Sequence, residues 1–342
     1  MARILILGAG SMGTAFSFPC SDNGHSVSIV GTHLEDDFID KIQSSKKHPS
    51  LNCEISKRVT FSKFEKFGEE INKKIDLVVV AVVSKGIEWA SVELSKVLKN
   101  NVPILILTKG LSINNNEYEV LAHKMERLLK KNGIKETNIS AAGGPCLAKE
   151  LANKVHTSIV FANNDIRIAE QISKLVSTDY YHVSTSNDVI GVETCAAIKN
   201  IFSMAVGASR GLNNSSKSRE KNYLNTAAAL IQESIYEMII FVESLKGKKE
   251  TVIGLAGIGD LYVSADGGRN SKMGEYIAQG MTFKEAKKTK MPSDTIEGAD
   301  LALEIGAKIK RDFDIKTLPL MISMINTICE EKPLKVDWKN FK

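Results

Sequence analysis

Cysteine is scarce and unpaired in this sequence. Cys20, Cys53, Cys146, Cys195 and Cys329 form no C-x-x-C pair and are odd in number, which argues against a disulfide framework and a structural zinc site. The six histidines, at positions 25, 33, 48, 123, 156 and 182, contain no i, i+4 pair and no ligand cluster, so no metal is expected. No run approaches the roughly 20 apolar residues of a membrane span. The apolar opening MARILILGAG turns into a glycine motif too soon for a signal peptide. Basic residues are scattered without long runs or aromatic interleaving, and the formal charge is only +5, so nucleic acid is not an expected partner. Repeats and low-complexity tracts are also missing. Together these absences lead to the expectation of a cytoplasmic protein without stable membrane insertion.

What is present is a chain of 342 residues, 43% hydrophobic, long enough for two ordinary domains with cores of their own. The first half alternates short β-branched runs (RILIL, HSVSIV, DLVVVAVV, VPILILT, NISAAG) with amphipathic stretches. Continuous apolar runs such as 77–83 suit strands buried on both faces of a parallel sheet. That alternation predicts an α/β fold with a doubly wound, Rossmann-like sheet. Past about residue 185 apolar residues recur at three and four spacing, over 189–206 and 225–245, which predicts long helices. The expected organisation is therefore a dinucleotide-binding domain over 1–185 and an all-helical substrate domain over 186–342. KSREKN (217–222) and KGKKE (246–250) read as polar connections between helices.

Gly8, Gly10 and Gly13 form G-x-G-x-x-G directly after the strand 4–7 and open a helical pattern. The first glycine allows the tight turn, the second lets a pyrophosphate approach the backbone, and the third lets helix and strand pack closely. The amides of Ser11, Met12 and Gly13 at the helix start would then face the phosphates. The residue that reads the adenosine ribose should follow the second strand, 27–30. There the chain has Gly31, Thr32 and His33, with Glu35 and Asp36 arriving late and no arginine adjacent, so both NAD and NADP stay open.

A nicotinamide enzyme also needs a group acting on the oxygen of the carbon that receives hydride. Lys109 ends the apolar strand ILILT, at the carboxyl edge where ligands of open α/β sheets bind. Lys199 lies in AAIKNIFSMAVGA among small and apolar neighbours, so it either snorkels or is held with a partner in a cleft. Asp260 in GIGDL could be that partner, or could simply cap the helix that follows. Arg269 and Asn270, after Gly267 and Gly268, would suit a phosphate. Cys195, one helical turn before Lys199, reads as a small buried apolar residue.

Taken in order, GAGSMGTA, TKGL, GGPCLAKELA, AIKN, NTAAALI, GIGDL, GGRN and IEG span nearly the whole chain, and the set resembles the NAD(P)-dependent glycerol-3-phosphate dehydrogenases. DNGHSV and KKHPSL look most like an archaeal-type member. The resemblance implies an N-terminal Rossmann domain, a helical C-terminal domain, an active site between them, and reversible reduction of dihydroxyacetone phosphate to sn-glycerol 3-phosphate, a lipid precursor. It implies Lys199 as general acid and base, with Asp260 orienting and charge-balancing it. Arg269 and Asn270 would bind the substrate phosphate, with Lys109, Asn225 and Ser264 lining the substrate pocket. Val82, Ser84, Ala148 and Glu297 would touch the cofactor beside the glycine turn. A homodimer is the candidate assembly. The chain departs from the family pattern at Cys146, where a threonine is common, at Ala227, where many members carry a basic residue, and in ALIQESI, which lacks a TRG. Two rival readings keep the cofactor: a related dehydrogenase acting on another phosphorylated ketone or a 3-hydroxyacid such as a ketopantoate type, and a redox sensor without turnover. GGRN favours a phosphorylated substrate over the second ketone class, and an intact Lys199 and Asp260 pair disfavours the sensor.

Overall fold

A computed structural model describes residues 1–45, 47–51, 53–98, 101–212 and 223–341. The chain divides into two compact units, Met1–Lys109 with Val120–Val189, and Gly110–Glu119 with Ile190–Lys342.

The first unit is built on an eight-stranded sheet of β1 (Arg3–Leu7), β2 (Ser26–Val30), β3 (Val59–Ser62), β4 (Leu77–Val80), β5 (Pro103–Ile106), β8 (Asn138–Gly143), β9 (Thr157–Ala162) and β10 (Tyr181–Ser186). Their spatial order is β10-β9-β8-β5-β4-β1-β2-β3. The central strands are apolar on both faces; all four residues of β4, LVVV, are buried, because helices cover the sheet on either side. The order reverses at β1, which pairs with β2 on one side and β4 on the other, and the carboxyl ends of β1 and β4 are thus the switch point at which open α/β sheets bind ligands. The sheet is not wholly parallel, as the apolar runs had suggested: β8 and β9 pair antiparallel. The link between them holds only the short helix Ala148–Ala152, and the chain returns beside β8 without a full crossover. Phe16 packs near Phe161 and edge-on to Tyr181, closing the core under this end of the sheet.

Among the described residues, the only strands of the second unit are those of the hairpin β6 (Leu111–Asn114) and β7 (Glu117–Val120), turned by Asn115 and Asn116 at positive φ, and its other regular elements are helices. Sequence reading placed this segment inside the first domain. It clusters instead with the later helices because Tyr118 packs edge-on against Phe241, Lys308 lies over the Tyr118 ring, and Arg311 donates to Asn116. The central helix, Val189–Leu212, is long and apolar enough to cross a membrane, which corrects the expectation that no such run exists. With 94% of its apolar window buried inside the fold, its hydrophobicity serves the core. Of the two polar connections, 217–222 lies outside the described residues; in the other, Lys246 and Gly247 turn the chain before the short helix Lys249–Val252.

Helix Pro319–Glu330 begins without a side-chain cap of its own. Its first amides, Leu320 and Met321, donate to the carboxylate of Glu237 from helix Leu224–Ser244, at 2.5 and 2.8 Å. Burial pushes the Glu237 carboxyl up to about 8, while the two amides pull it down.

Candidate active site

In the first unit the glycine turn sits at the carboxyl end of β1. A Cβ on Gly8, which has φ +111°, would stand 2.7 Å from the Ala81 carbonyl, so only glycine allows β1 and β4 to leave the sheet this close together. That approach brings Val82 and the Ser84–Gly86 turn beside the glycine motif. A Cβ on Gly10 would meet nothing within 4 Å. Gly10 is also the N-cap of helix Ser11–Asp22 and offers no side-chain cap, so the first amides of this helix, from Ser11 on, have no side-chain acceptor from it. Room beside Gly10 and an uncapped helix start fit a dinucleotide pyrophosphate. At the same edge Thr108 Oγ1 donates to the Val82 carbonyl at 2.6 Å and Lys109 Nζ donates to the Gly144 carbonyl at 3.3 Å. Ala148 opens the short helix that follows β8 and is half-buried against the core of this unit.

In the second unit, Lys199 projects from the central helix and is 6% exposed. Its ammonium donates to Asp260 Oδ1 and to Ser264 Oγ, each at 2.5 Å. A buried charge needs such company, because an unpaired ion in this setting costs several kcal/mol, about 3–5 when one partner is removed. Asp260 is aimed by an unusual backbone. Gly259 donates to the Gly254 carbonyl, one wide i→i+5 turn, and Asp260 then starts the helix Asp260–Ala265 that also carries Ser264 one turn on.

A second polar group continues from this pair. Asn270 donates to Asn200 Oδ1 at 3.2 Å and to Glu297 at 3.4 Å, and accepts the Gly298 amide at 2.9 Å. It thereby caps helix Glu297–Asp312 and ties it to the central helix. Arg269, half exposed, forms an ion pair with Glu297. Helix Arg269–Ala278 can lie this close because Gly274 has no side chain: a Cβ there would stand 1.8 Å from the Met204 carbonyl of the central helix.

Of the residues singled out from sequence, the structure joins Lys199, Asp260 and Ser264 in one group and Arg269, Asn270 and Glu297 in another, linked by Asn200 beside Lys199. Asn225 lies exposed in the first turn of helix Leu224–Ser244 and is not joined to either group among the described residues. Asn270 is buried and occupied with structural hydrogen bonds, and Glu297, expected at the cofactor, faces Arg269. Cys195 is fully buried. Two residues escaped sequence reasoning. Asn200 is one. The other is Arg210, which donates to the Ala265 carbonyl at 3.2 Å and to Ser271 Oγ at 2.7 Å and pairs with Asp266, clamping the turn that presents Arg269. A signal existed, since position 210 is three helical turns after Lys199 and on the same helix face.

The chain is similar to known proteins along nearly its whole length. The sequence profiles described as the N-terminus and the C-terminus of NAD-dependent glycerol-3-phosphate dehydrogenase match residues 3–169 and 188–337. The NADP(+)-dependent glycerol-3-phosphate dehydrogenase of Archaeoglobus fulgidus is 30% identical, with 90% of this chain and 91% of that protein covered. The glycerol-3-phosphate dehydrogenase [NAD(P)+] of Agathobacter rectalis is 31% identical, with 98% and 94% covered. The crystal structure of glycerol-3-phosphate dehydrogenase from Coxiella burnetii superposes with a TM-score of 0.82 at 25% identity, covering 97% of this chain and 96% of that one. With a Rossmann-type unit carrying the glycine turn and a helical unit carrying the buried lysine and aspartate, the chain belongs to the NAD-dependent glycerol-3-phosphate dehydrogenase family.

Proposed function

We propose that this chain interconverts dihydroxyacetone phosphate and sn-glycerol 3-phosphate with NAD(P)H, and that Lys199 is the proton donor and acceptor of the reaction. The observation that carries the reading is the buried Lys199–Asp260–Ser264 group, linked through Asn200 and Asn270 to the half-exposed Arg269. The nicotinamide supplies the hydride. Lys199 Nζ–H gives a proton to the carbonyl oxygen as that carbon is reduced and takes it back in the oxidative direction. Asp260 balances the charge and Ser264 fixes the direction of the amine, so that the donor is aimed before substrate arrives. Arg269 takes the phosphate: its guanidinium already pairs with the Glu297 carboxylate, and a dianionic phosphate offers more charge and can take the guanidinium fork through two oxygens. Ser11, Met12 and Gly13 at the glycine turn hold the cofactor pyrophosphate.

The test is loss of reduced-nicotinamide absorbance with dihydroxyacetone phosphate, set beside unphosphorylated dihydroxyacetone. Oxidation should be confined to the phosphorylated ketone, and equal rates on both would refute the phosphate assignment. Lys199→Ala should lower kcat by about 10²–10⁴ while the cofactor Kd holds. Loss of cofactor binding to the same degree would move Lys199 out of the chemical step.

A further inference from the structure

We propose that Glu35 reads the adenosine ribose and makes this site select NAD over NADP, an inference that rests on the nicotinamide-dependent reading above. By sequence Glu35 comes five residues after the end of β2, too late for the position where an acidic residue normally meets the ribose. The loop cancels that offset. Glu35 N–H donates to the Thr32 carbonyl at 3.0 Å, folding 32–35 into a tight turn. Glu35 Oε2 then accepts two amides, from Thr32 at 2.7 Å and from Ala9 at 3.2 Å. Ala9 lies between Gly8 and Gly10, so the carboxylate is fastened to the glycine turn itself.

The other side of the loop is also fixed, with the His33 ring 4.9 Å from Trp89. Both amides fall on Oε2, which leaves Oε1 of this half-buried carboxylate to accept from the vicinal hydroxyls of a ribose. A 2′-phosphate in that place would meet like charge. Residues 31–40 carry four carboxylates and neither lysine nor arginine; Asp40 is paired with Lys63 from outside the segment at 2.8 Å, which leaves Glu35, Asp36 and Asp37 as the like charge.

Behind the loop, His48 is buried. Its Nδ1 accepts the amides of Ser50 and Leu51 at 3.2 Å each, which places its proton on Nε2. Burial lowers the pKa of this ring against the opposing pull of the Ala9 backbone and the Glu35 charge. A neutral imidazole there supplies no cation to hold a phosphate.

Direct fluorescence titration of the protein with NADH and with NADPH, in the absence of any ketone, tests the assignment. NADH should bind about tenfold or more tightly, the order expected for hydrogen bonds to a charged group. Glu35→Gln should narrow the ratio several-fold by weakening NADH and strengthening NADPH. Glu35→Ser, which also gives up the amide contacts, should lose the discrimination even where both affinities drop, because the ratio carries the proposal. Equal or tighter NADPH binding by the unaltered protein, or an unchanged ratio in Glu35→Gln, would overturn the Glu35 assignment alone. If neither nucleotide binds, the assignment falls together with the dehydrogenase reading.

Discussion

Arg210 illustrates how a residue can matter here without meeting substrate. Its guanidinium holds a backbone carbonyl, a hydroxyl and a carboxylate of the 265–271 turn, and the Tyr223 ring lies 5.2 Å from it. The turn needs such a clamp because it passes through Gly267 at φ +106° and Gly268, which give the backbone little stiffness of its own. Arg210→Ala should therefore loosen the presentation of Arg269 and raise KM for the phosphorylated ketone by about tenfold, the scale of one lost charged hydrogen bond. The Kd for NADH, read at the other unit, should not move. Arg210→Lys should recover only part of the KM, since an ammonium cannot reproduce the fork. A purely structural role would instead lower the yield of folded protein and leave KM of the remainder unchanged.

Among the elements, two contacts of the helical unit join helices far apart in sequence. Where Gly274 crosses Met204, a methyl group has no room and the obstacle is backbone, so Gly274→Ala should cost on the order of 3 kcal/mol, measured by denaturant unfolding. The start of helix Pro319–Glu330 rests on Glu237, and its raised pKa makes that contact pH-sensitive. Between the ordinary 4.5 and about 8 the folded state keeps a proton that the unfolded chain releases. Stability should therefore fall as pH rises through this window, by at most about 1.4 kcal/mol per unit for one group, and level off above it. Glu237→Gln should flatten that slope without affecting turnover, and a slope that survives the substitution would assign it elsewhere. Element by element, β1, β4 and β5 were legible because each is almost wholly a continuous apolar run at a strand's length, and β2, SVSIV, because serine alternates with valine and isoleucine. The hairpin LSIN and EYEV was not, being short and half polar, and the edge strand β10, YHVSTS, carries no apolar run. His156, just before β9, and His182 in β10 meet at 3.3 Å, a pairing that i, i+4 counting has no means of registering.

For the whole molecule, the order of motifs revealed more than any motif alone. GIGDL and AIKN are ordinary by themselves, and their meeting depends on a 61-residue separation closed by helix packing that no local period encodes. Lys199 and Asp260 were therefore legible as types and positions, whereas the clamp by Arg210 and the pairing of Arg269 with Glu297 required coordinates. The division between units was misplaced for the same reason: the hairpin 110–119 joins helices that come more than a hundred residues later. That threading has a temporal side. During synthesis Tyr118 emerges well before Phe241 and Lys308 exist to cover it. The helical unit thus cannot finish folding until most of the chain has left the ribosome. A nascent chain stalled in between would display an aromatic hairpin, the kind of surface that chaperones retain.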